Sequence, residues 1–194
     1  MLTLLLSLAH AASPELAVEF ATLPVTDEAQ DRFGSGSTLP AVGGRAGLAL
    51  TDALTVQLAA HHGERGATWG NLNDGSAAAA FFATDASLAL EAVAPVNDYF
   101  AVGGLAEGTA LLGVARFDGA TDDRDNEVYG ATGFAPGFRA AAAVRLSVPE
   151  SALPMPLQFR VTGGYQWFAP MKLGDFGTTQ LRGFSLRVAA GVQF

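Results

Sequence analysis

Residues 183–194 read Gly183-Phe-Ser-Leu-Arg-Val-Ala-Ala-Gly-Val-Gln-Phe194, and apolar side chains alternate there with small or polar ones. Successive side chains of a β-strand point to opposite faces, so this alternation predicts a strand with one apolar face. At about 3.3 Å per residue and a tilt of about 40°, the segment rises roughly 25 Å, which matches the apolar band of a transmembrane barrel. The stretch therefore predicts a strand long enough to cross a membrane.

The same period of two recurs through the rest of the chain. It predicts eight strands in all, near residues 16–21, 42–50, 54–61, 82–92, 99–107, 138–148, 158–167 and 184–194. Ten strands remain an alternative, because the glycine-rich stretch 103–115 could hide a further turn. No segment of useful length has a helical period. The fold class is therefore all-β, and the simplest arrangement is an up-and-down, eight-stranded antiparallel transmembrane β-barrel.

The connections between these strands alternate in length. Residues 51–53 and 95–98 are tight turns, and 149–156 is intermediate, whereas 24–40, 63–76, 118–133 and 170–180 are long. Outer-membrane barrels have long extracellular loops and short periplasmic turns. With an even number of strands, both ends of the barrel domain then lie on the periplasmic side.

Composition narrows the functional classes. The 194 residues are 49% hydrophobic and only 15% charged, yet past the N-terminus no uncharged apolar run is long enough for a transmembrane helix. The net charge of −8 argues against a nucleic-acid partner. The absence of cysteine excludes disulfides, thiol catalysis and thiolate metal sites.

The first twelve residues predict an export signal. A short apolar core leads into Ala9-His10-Ala11, which fits the small-x-small pattern of a signal-peptidase site, although no basic residue precedes the core. We therefore expect residues 1–12 to be a signal peptide and residues 13–194 to form one barrel domain.

Within each predicted strand, alternate residues point to the same face, and one of the two faces is polar. The charged residues of the predicted strands all lie on this polar face. They are Glu19, Arg45, Asp85, Glu91, Glu107, Arg139, Arg145, Arg160 and Arg187. A lipid-facing Arg or Lys near the bilayer midplane costs about 2–4 kcal/mol. If the apolar face of the strands contacts lipid, charged residues are therefore excluded from that face. A soluble barrel with its apolar face inward would exclude charge as well. In the membrane reading, these nine side chains form an ion-pair network inside the lumen.

Aromatic residues near strand ends favour the membrane reading. Phe82, Phe100, Phe159 and Trp167 occupy such positions. Aromatic side chains form girdles at both interfaces of transmembrane barrels. We expect these four residues to belong to the two girdles.

The final strand, which ends in an aromatic residue, resembles the C-terminal insertion signal of bacterial outer-membrane β-barrel proteins. The residues that carry the resemblance are Phe184, Leu186, Val188, Val192 and Phe194. The resemblance is to the small eight-stranded members, of the OmpA and OmpW kind, and covers the mature chain in pattern. It implies an outer-membrane location among lipid and lipopolysaccharide, and insertion by the barrel-assembly machinery. A closed barrel leaves no strand edge to pair, so a monomer is expected.

The expected function is non-enzymatic, that of a structural or surface-exposed barrel without a cofactor. Eight strands enclose a lumen that side chains can fill. A narrow channel is the alternative, because inward Gly and Ala leave room for water at positions 43, 47, 59, 141, 143, 164, 189 and 191.

A lipid A-modifying enzyme is the third possibility, since some small barrels use His, Ser and an acidic residue. The candidates are His61 or His62 with Asp85 and Ser87. If residues near 62 pair with residues near 78, His61 lies about 20 Å from Asp85, far beyond hydrogen-bond reach. Both histidines are instead expected at the extracellular rim.

A calcium site is the only metal candidate. Asp123, Asp125 and Glu127 have the spacing that begins a calcium-binding loop, but Val128 stands where glycine should follow. A solvated acidic loop is the preferred interpretation.

Overall fold

The computed structural model describes residues 13–25, 33, 37–71, 75–119, 127–148 and 156–194. Its strands are β1 Ser13–Pro24, β2 Thr38–Thr51, β3 Leu54–Asn71, β4 Gly75–Asn97, β5 Phe100–Gly119, β6 Glu127–Val148, β7 Leu157–Phe168, β8 Met171–Lys172, β9 Thr178–Thr179 and β10 Arg182–Gln193. A single 3₁₀ turn, Gly174–Phe176, lies between β8 and β9. The predicted signal peptide lies outside the described residues.

Eight of these strands form one closed antiparallel barrel. Sequential strands β1 to β7 pair in order, β7 pairs with β10, and β10 closes the barrel on β1. The predicted eight-stranded, up-and-down fold is confirmed. The ten-strand alternative is wrong, because β5 runs without interruption through the glycine-rich stretch 103–115.

The strands are strongly staggered around the barrel. Leu16 of β1 pairs directly with Val192 of β10. If the paired residues are instead traced from Leu16 around the barrel, through β2 to β7, the path reaches β10 at Arg182. The two arrival points are ten residues apart, so the shear of the barrel is ten residues. Such a stagger requires tilted strands and sets how wide the interior is.

Strands β3 to β6 are longer than the sequence predicted. Their pairing continues to Asn71 opposite Gly75 and to Gly119 opposite Glu127. Most of the predicted long loop 63–76, and much of 118–133, is therefore strand. These extensions lie at the end opposite the tight turns at residues 52–53 and 98–99.

The outward face of the barrel is apolar. Its exposed large side chains include Leu16, Val18, Phe20, Leu58, Leu88, Leu90, Val144, Val161, Leu186 and Val188. Exposed charged residues on this face include Glu64, Arg116 and Arg182, which lie near the long-connection end. A continuous apolar band on the outside of a barrel is stable in contact with lipid rather than water. The described part of the chain contains no helix that is long and apolar enough to cross a membrane.

Candidate functional site

The lumen is the place where the chain concentrates charge. Inward positions of the barrel strands carry a set of buried ionisable side chains that we call the charge network: Glu15, Glu19, Arg45, His61, Asp85, Glu91, Glu107, Arg139, Arg145, Arg160 and Arg187. The set contains all nine residues that the sequence analysis placed in the lumen. It adds Glu15 and His61, which sequence reasoning missed. Alternation should have indicated Glu15, which lies four residues before Glu19 and shares its parity.

Arg139 and Arg187 form the middle of the charge network. Arg139, 1% exposed, contacts Glu107 through Nη1 at 3.4 Å, and its Nε donates to Ser185 Oγ at 2.7 Å. Arg187 Nη1 lies 2.8 Å from the other oxygen of Glu107, and its Nη2 lies 3.3 Å from Asp85 Oδ2. One carboxylate thus joins two arginines from different strands, which compensates buried charges that would be costly alone.

His61 belongs to the same part of the network, contrary to the sequence prediction. Its Nδ1 lies 3.1 Å from Asp85 Oδ1, and its Nε2 lies 3.2 Å from Glu19 Oε1. The predicted separation of about 20 Å was wrong because β3 and β4 pair as far as Asn71, which places His61 directly opposite Asp85 in register. The expectation that both histidines lie at the rim was also wrong for His61, which is 1% exposed.

A second cluster lies nearer the short-turn end. Glu91 receives Arg145 Nη2 at 2.8 Å on one oxygen and faces Arg160 Nε at 3.0 Å on the other. Gln57 links the cluster, since its amide donates to Glu91 and its Oε1 accepts from Arg160 Nη1 at 2.6 Å. Arg145 also lines an open vestibule of about 630 Å³ at this end of the barrel.

Arg45 connects the remaining acidic residues. Its Nε lies 3.6 Å from Glu15 and its Nη1 lies 3.8 Å from Glu19. With this contact, every one of the nine predicted lumen residues has an oppositely charged partner within 4 Å.

Little free volume is left among these side chains. The cavity within the charge network measures about 10 Å³, which is roughly what one water molecule needs. At two of the small inward positions the neighbouring strand comes very close. A Cβ at Gly43 would collide with the backbone of Ala60, and one at Gly164 would collide with the backbone of Ala140. Glycine at these positions permits close strand approach.

The long-connection half of the lumen is filled by a layer that we call the apolar plug. Its largest members are Leu23, Phe33, Leu39, Phe81, Leu111, Phe168, Met171, Leu173 and Leu181. Met171 inserts against Gly113 and Gly133, where an added Cβ would collide with the methionine side chain. The β8–β9 segment thus folds into the barrel mouth, where the sequence predicted only a loop.

The predicted girdle residues lie on or near the outward face at both ends. Phe82 is half-buried and stacks on His62 at a centroid distance of 6.4 Å. Trp167 packs against Phe138 at 5.6 Å. Phe159 is exposed, and Phe100 is half-buried beside a tight turn.

The apolar residues of the final strand also face outward. Phe184, Leu186 and Val188 are exposed, and Val192 is half-buried. The chain end is joined to the first strand, because the Phe194 amide donates to the Pro14 carbonyl at 2.9 Å.

The metal candidates remain without a structural description. Asp123 and Asp125 lie outside the described residues, and Glu127 is described only as the start of β6. Among the described residues, no group of three or more His, Asp, Glu or Cys side chains could hold a metal ion.

Solved structures with this architecture are outer-membrane proteins. Ail, the attachment invasion locus protein of Yersinia pestis, in complex with the heparin analogue sucrose octasulfate, has a TM-score of 0.54 and 16% identity; the alignment covers 95% of this chain and 99% of Ail. A major outer membrane protein from Thermus thermophilus has a TM-score of 0.53 and 13% identity, with 93% of this chain and 99% of that protein covered. This is the fold of small outer-membrane β-barrels. No protein-family model matches the chain. No curated protein matches it either.

The inverted polarity of the barrel agrees with this fold. Its outward band requires lipid, and its charges are paired inside.

Proposed function

We propose that the chain is a non-enzymatic, non-conducting outer-membrane barrel that holds its long β3–β4 and β5–β6 hairpins outside the membrane. The observation that carries the proposal is the double closure of the lumen. The charge network leaves a cavity of only about 10 Å³, and the apolar plug fills the outer half above it. A rigid, filled barrel with extended hairpins is suited to presenting a surface.

A narrow channel is disfavoured by the same packing. An ion path needs continuous water or a continuous line of ligands through the barrel. Leu111, Phe81 and Met171, each at most 1% exposed, interrupt any such line in the outer half. Opening would require the β8–β9 segment to leave its place and the arginine pairs to separate.

A lipid A-modifying activity at His61, Asp85 and Ser87 is disfavoured by the surroundings of the imidazole. Both ring nitrogens of His61 face carboxylates, so neither is free to accept a proton from Ser87. The ring is also buried inside the lumen, where it is 1% exposed and out of reach of lipid. A hydrolase base must reach both its nucleophile and its substrate.

We further propose monomeric insertion by the barrel-assembly machinery, with outer-membrane lipid and lipopolysaccharide as the surrounding partners. The closed β1–β10 seam supports a monomer, because no barrel edge is left to pair in the membrane. The outward side chains of Phe184, Leu186 and Val188 are exposed, which leaves them available for recognition.

Single-channel recording tests the proposal. The full chain, refolded and inserted into a planar bilayer in concentrated KCl, is expected to give no conductance steps. Reproducible steps from the unmodified protein, with an ion selectivity that changes in the E107A/R139A variant, would overturn the non-conducting assignment.

Two variants check that the assay could detect opening. E107A/R139A removes part of the charge network, and M171A/L173A removes part of the apolar plug. Because the two barriers lie in series, each variant alone is expected to stay silent, whereas the combination of all four substitutions is expected to conduct. Folding of every variant is checked first by the faster migration of the unboiled protein on a denaturing gel.

A further inference from the structure

His61 occupies an unusual position, because it is a buried imidazole between two carboxylates from different strands. Glu19 of β1 faces Nε2 at 3.2 Å, and Asp85 of β4 faces Nδ1 at 3.1 Å. Since β1 and β4 are separated by two strands in the barrel order, the ring joins two strands that are not hydrogen-bonded neighbours.

Hydrogen-bond chemistry restricts the state of this ring. An ionised carboxylate only accepts hydrogen bonds, and a neutral imidazole donates through only one of its nitrogens. If both carboxylates are ionised, both ring nitrogens must carry a proton. Otherwise an unprotonated ring nitrogen would face a carboxylate oxygen, and both atoms only accept hydrogen bonds. The free-energy cost would be comparable to that of a buried polar group without a hydrogen bond.

Each of the two carboxylates also faces a guanidinium. Asp85 Oδ2 lies 3.3 Å from Arg187, and Glu19 lies 3.7 Å from Arg187 and 3.8 Å from Arg45. A guanidinium does not lose its proton in a protein. The proton shared within this site therefore belongs to the imidazole.

The groups nearest His61 are more acidic than basic. The groups around His61 come from β1, β2, β4, β5, β6 and β10, and they are Glu19, Arg45, Asp85, Glu107, Arg139 and Arg187. Arg45 also faces Glu15 at 3.6 Å, so these two form a neutral pair. The other five are three carboxylates and two arginines. One positive charge on His61 would balance these five, while Glu91 with Arg145 and Arg160 carries the opposite excess near the short-turn end.

We infer that His61 is an imidazolium in the folded barrel and acts as a pH-sensitive clamp between β1 and β4. The ring is 1% exposed, so the clamp is inside the barrel. It is present at neutral pH and is lost when the pH rises far enough to deprotonate the ring. Its loss leaves a carboxylate without one of its donors.

The charge state can be measured directly, because the chain contains only three histidines. The H10Q/H62Q variant of the full chain leaves His61 alone. With ¹⁵N-labelled histidine and the protein refolded in detergent micelles, ring nitrogen shifts distinguish an imidazolium, with two similar shifts, from a neutral ring, with two widely separated ones. At pH 8, where a free histidine is neutral, we expect the imidazolium pattern. A neutral pattern would overturn the inference.

Two further variants separate the clamp from general packing. In D85N, added to the same background, the ring loses one ionised acceptor, and we expect the neutral form to become the main one at pH 8. In wild type, the midpoint of urea unfolding should exceed that of H61Q at pH 7, and the difference should shrink as the pH is raised. An unchanged imidazolium pattern in folded D85N, or a difference that is independent of pH, would contradict the clamp.

Discussion

Removal of the Arg139 guanidinium should strongly destabilise the charge network. Arg139→Met keeps the length and apolar stem of the side chain but deletes its contacts with Glu107, Ser185 and Thr162. Removing one partner from a buried ion pair costs about 3–5 kcal/mol. Glu107 retains Arg187 at 2.8 Å, so we expect a loss near the lower end, about 3 kcal/mol.

Urea unfolding in vesicles, followed by tryptophan fluorescence, measures this loss. With a slope of about 1–3 kcal/mol per molar urea, a loss of about 3 kcal/mol lowers the midpoint by about 1–3 M. Arg116→Met is the matched control, since Arg116 is exposed on the outward face, and its effect should stay within about 0.5 kcal/mol. A loss below about 1 kcal/mol in Arg139→Met would refute the claim that buried pairing holds the lumen together.

Two substitutions test the packing of the barrel wall and of the apolar plug. Gly43→Ala should hinder closure of the barrel, because its Cβ would collide with the Ala60 backbone, whereas Gly108→Ala should fold normally, since nothing lies within 4 Å of an added Cβ there. The unboiled gel band reports closure, and equal folding of both variants would contradict the close approach of β2 and β3. Met171→Ala should cost about 2–5 kcal/mol through the cavity it leaves and should raise amide exchange in residues 169–181. Unchanged exchange there would show that Met171 does not hold the segment.

The barrel was predictable because lipid imposes a rule on every residue that meets it. An outward charge near the midplane is costly, so the sequence shows strict alternation from Leu16 to Phe20 and again from Phe184 to Val192. The same rule placed nine charged residues inside, and all nine lie inside in the structure.

The strand extensions at the long-connection end do not show this alternation, and the sequence did not predict them. Residues 77–80 are all alanine, so the extension of β4 carries no alternation to read. Without that extension, the β3–β4 register was set six residues wrong, and the contact between His61 and Asp85 was lost with it. A register depends on the position of the turn, which composition alone did not locate.

The apolar plug was missed for a different reason. Met171, Leu173 and Leu181 are isolated apolar residues in a segment with glycine and polar neighbours, which reads locally as a loop. Their burial arises only when the segment meets Phe81 and Leu111 from distant strands. Period-two analysis cannot detect such contacts, since they depend on tertiary packing.

The most direct measurement concerns which face of the strands meets lipid. The chain has no cysteine, so single cysteines can carry a nitroxide label at Leu58, Leu88 and Leu186, with Asp98 in a tight turn as the aqueous reference. In liposomes we expect the three strand labels to collide readily with dissolved oxygen and hardly with a water-soluble nickel chelate, and the label at Asp98 to show the opposite. Ready collision of the three strand labels with the nickel chelate would show that this face meets water and that the barrel is not inserted in a membrane.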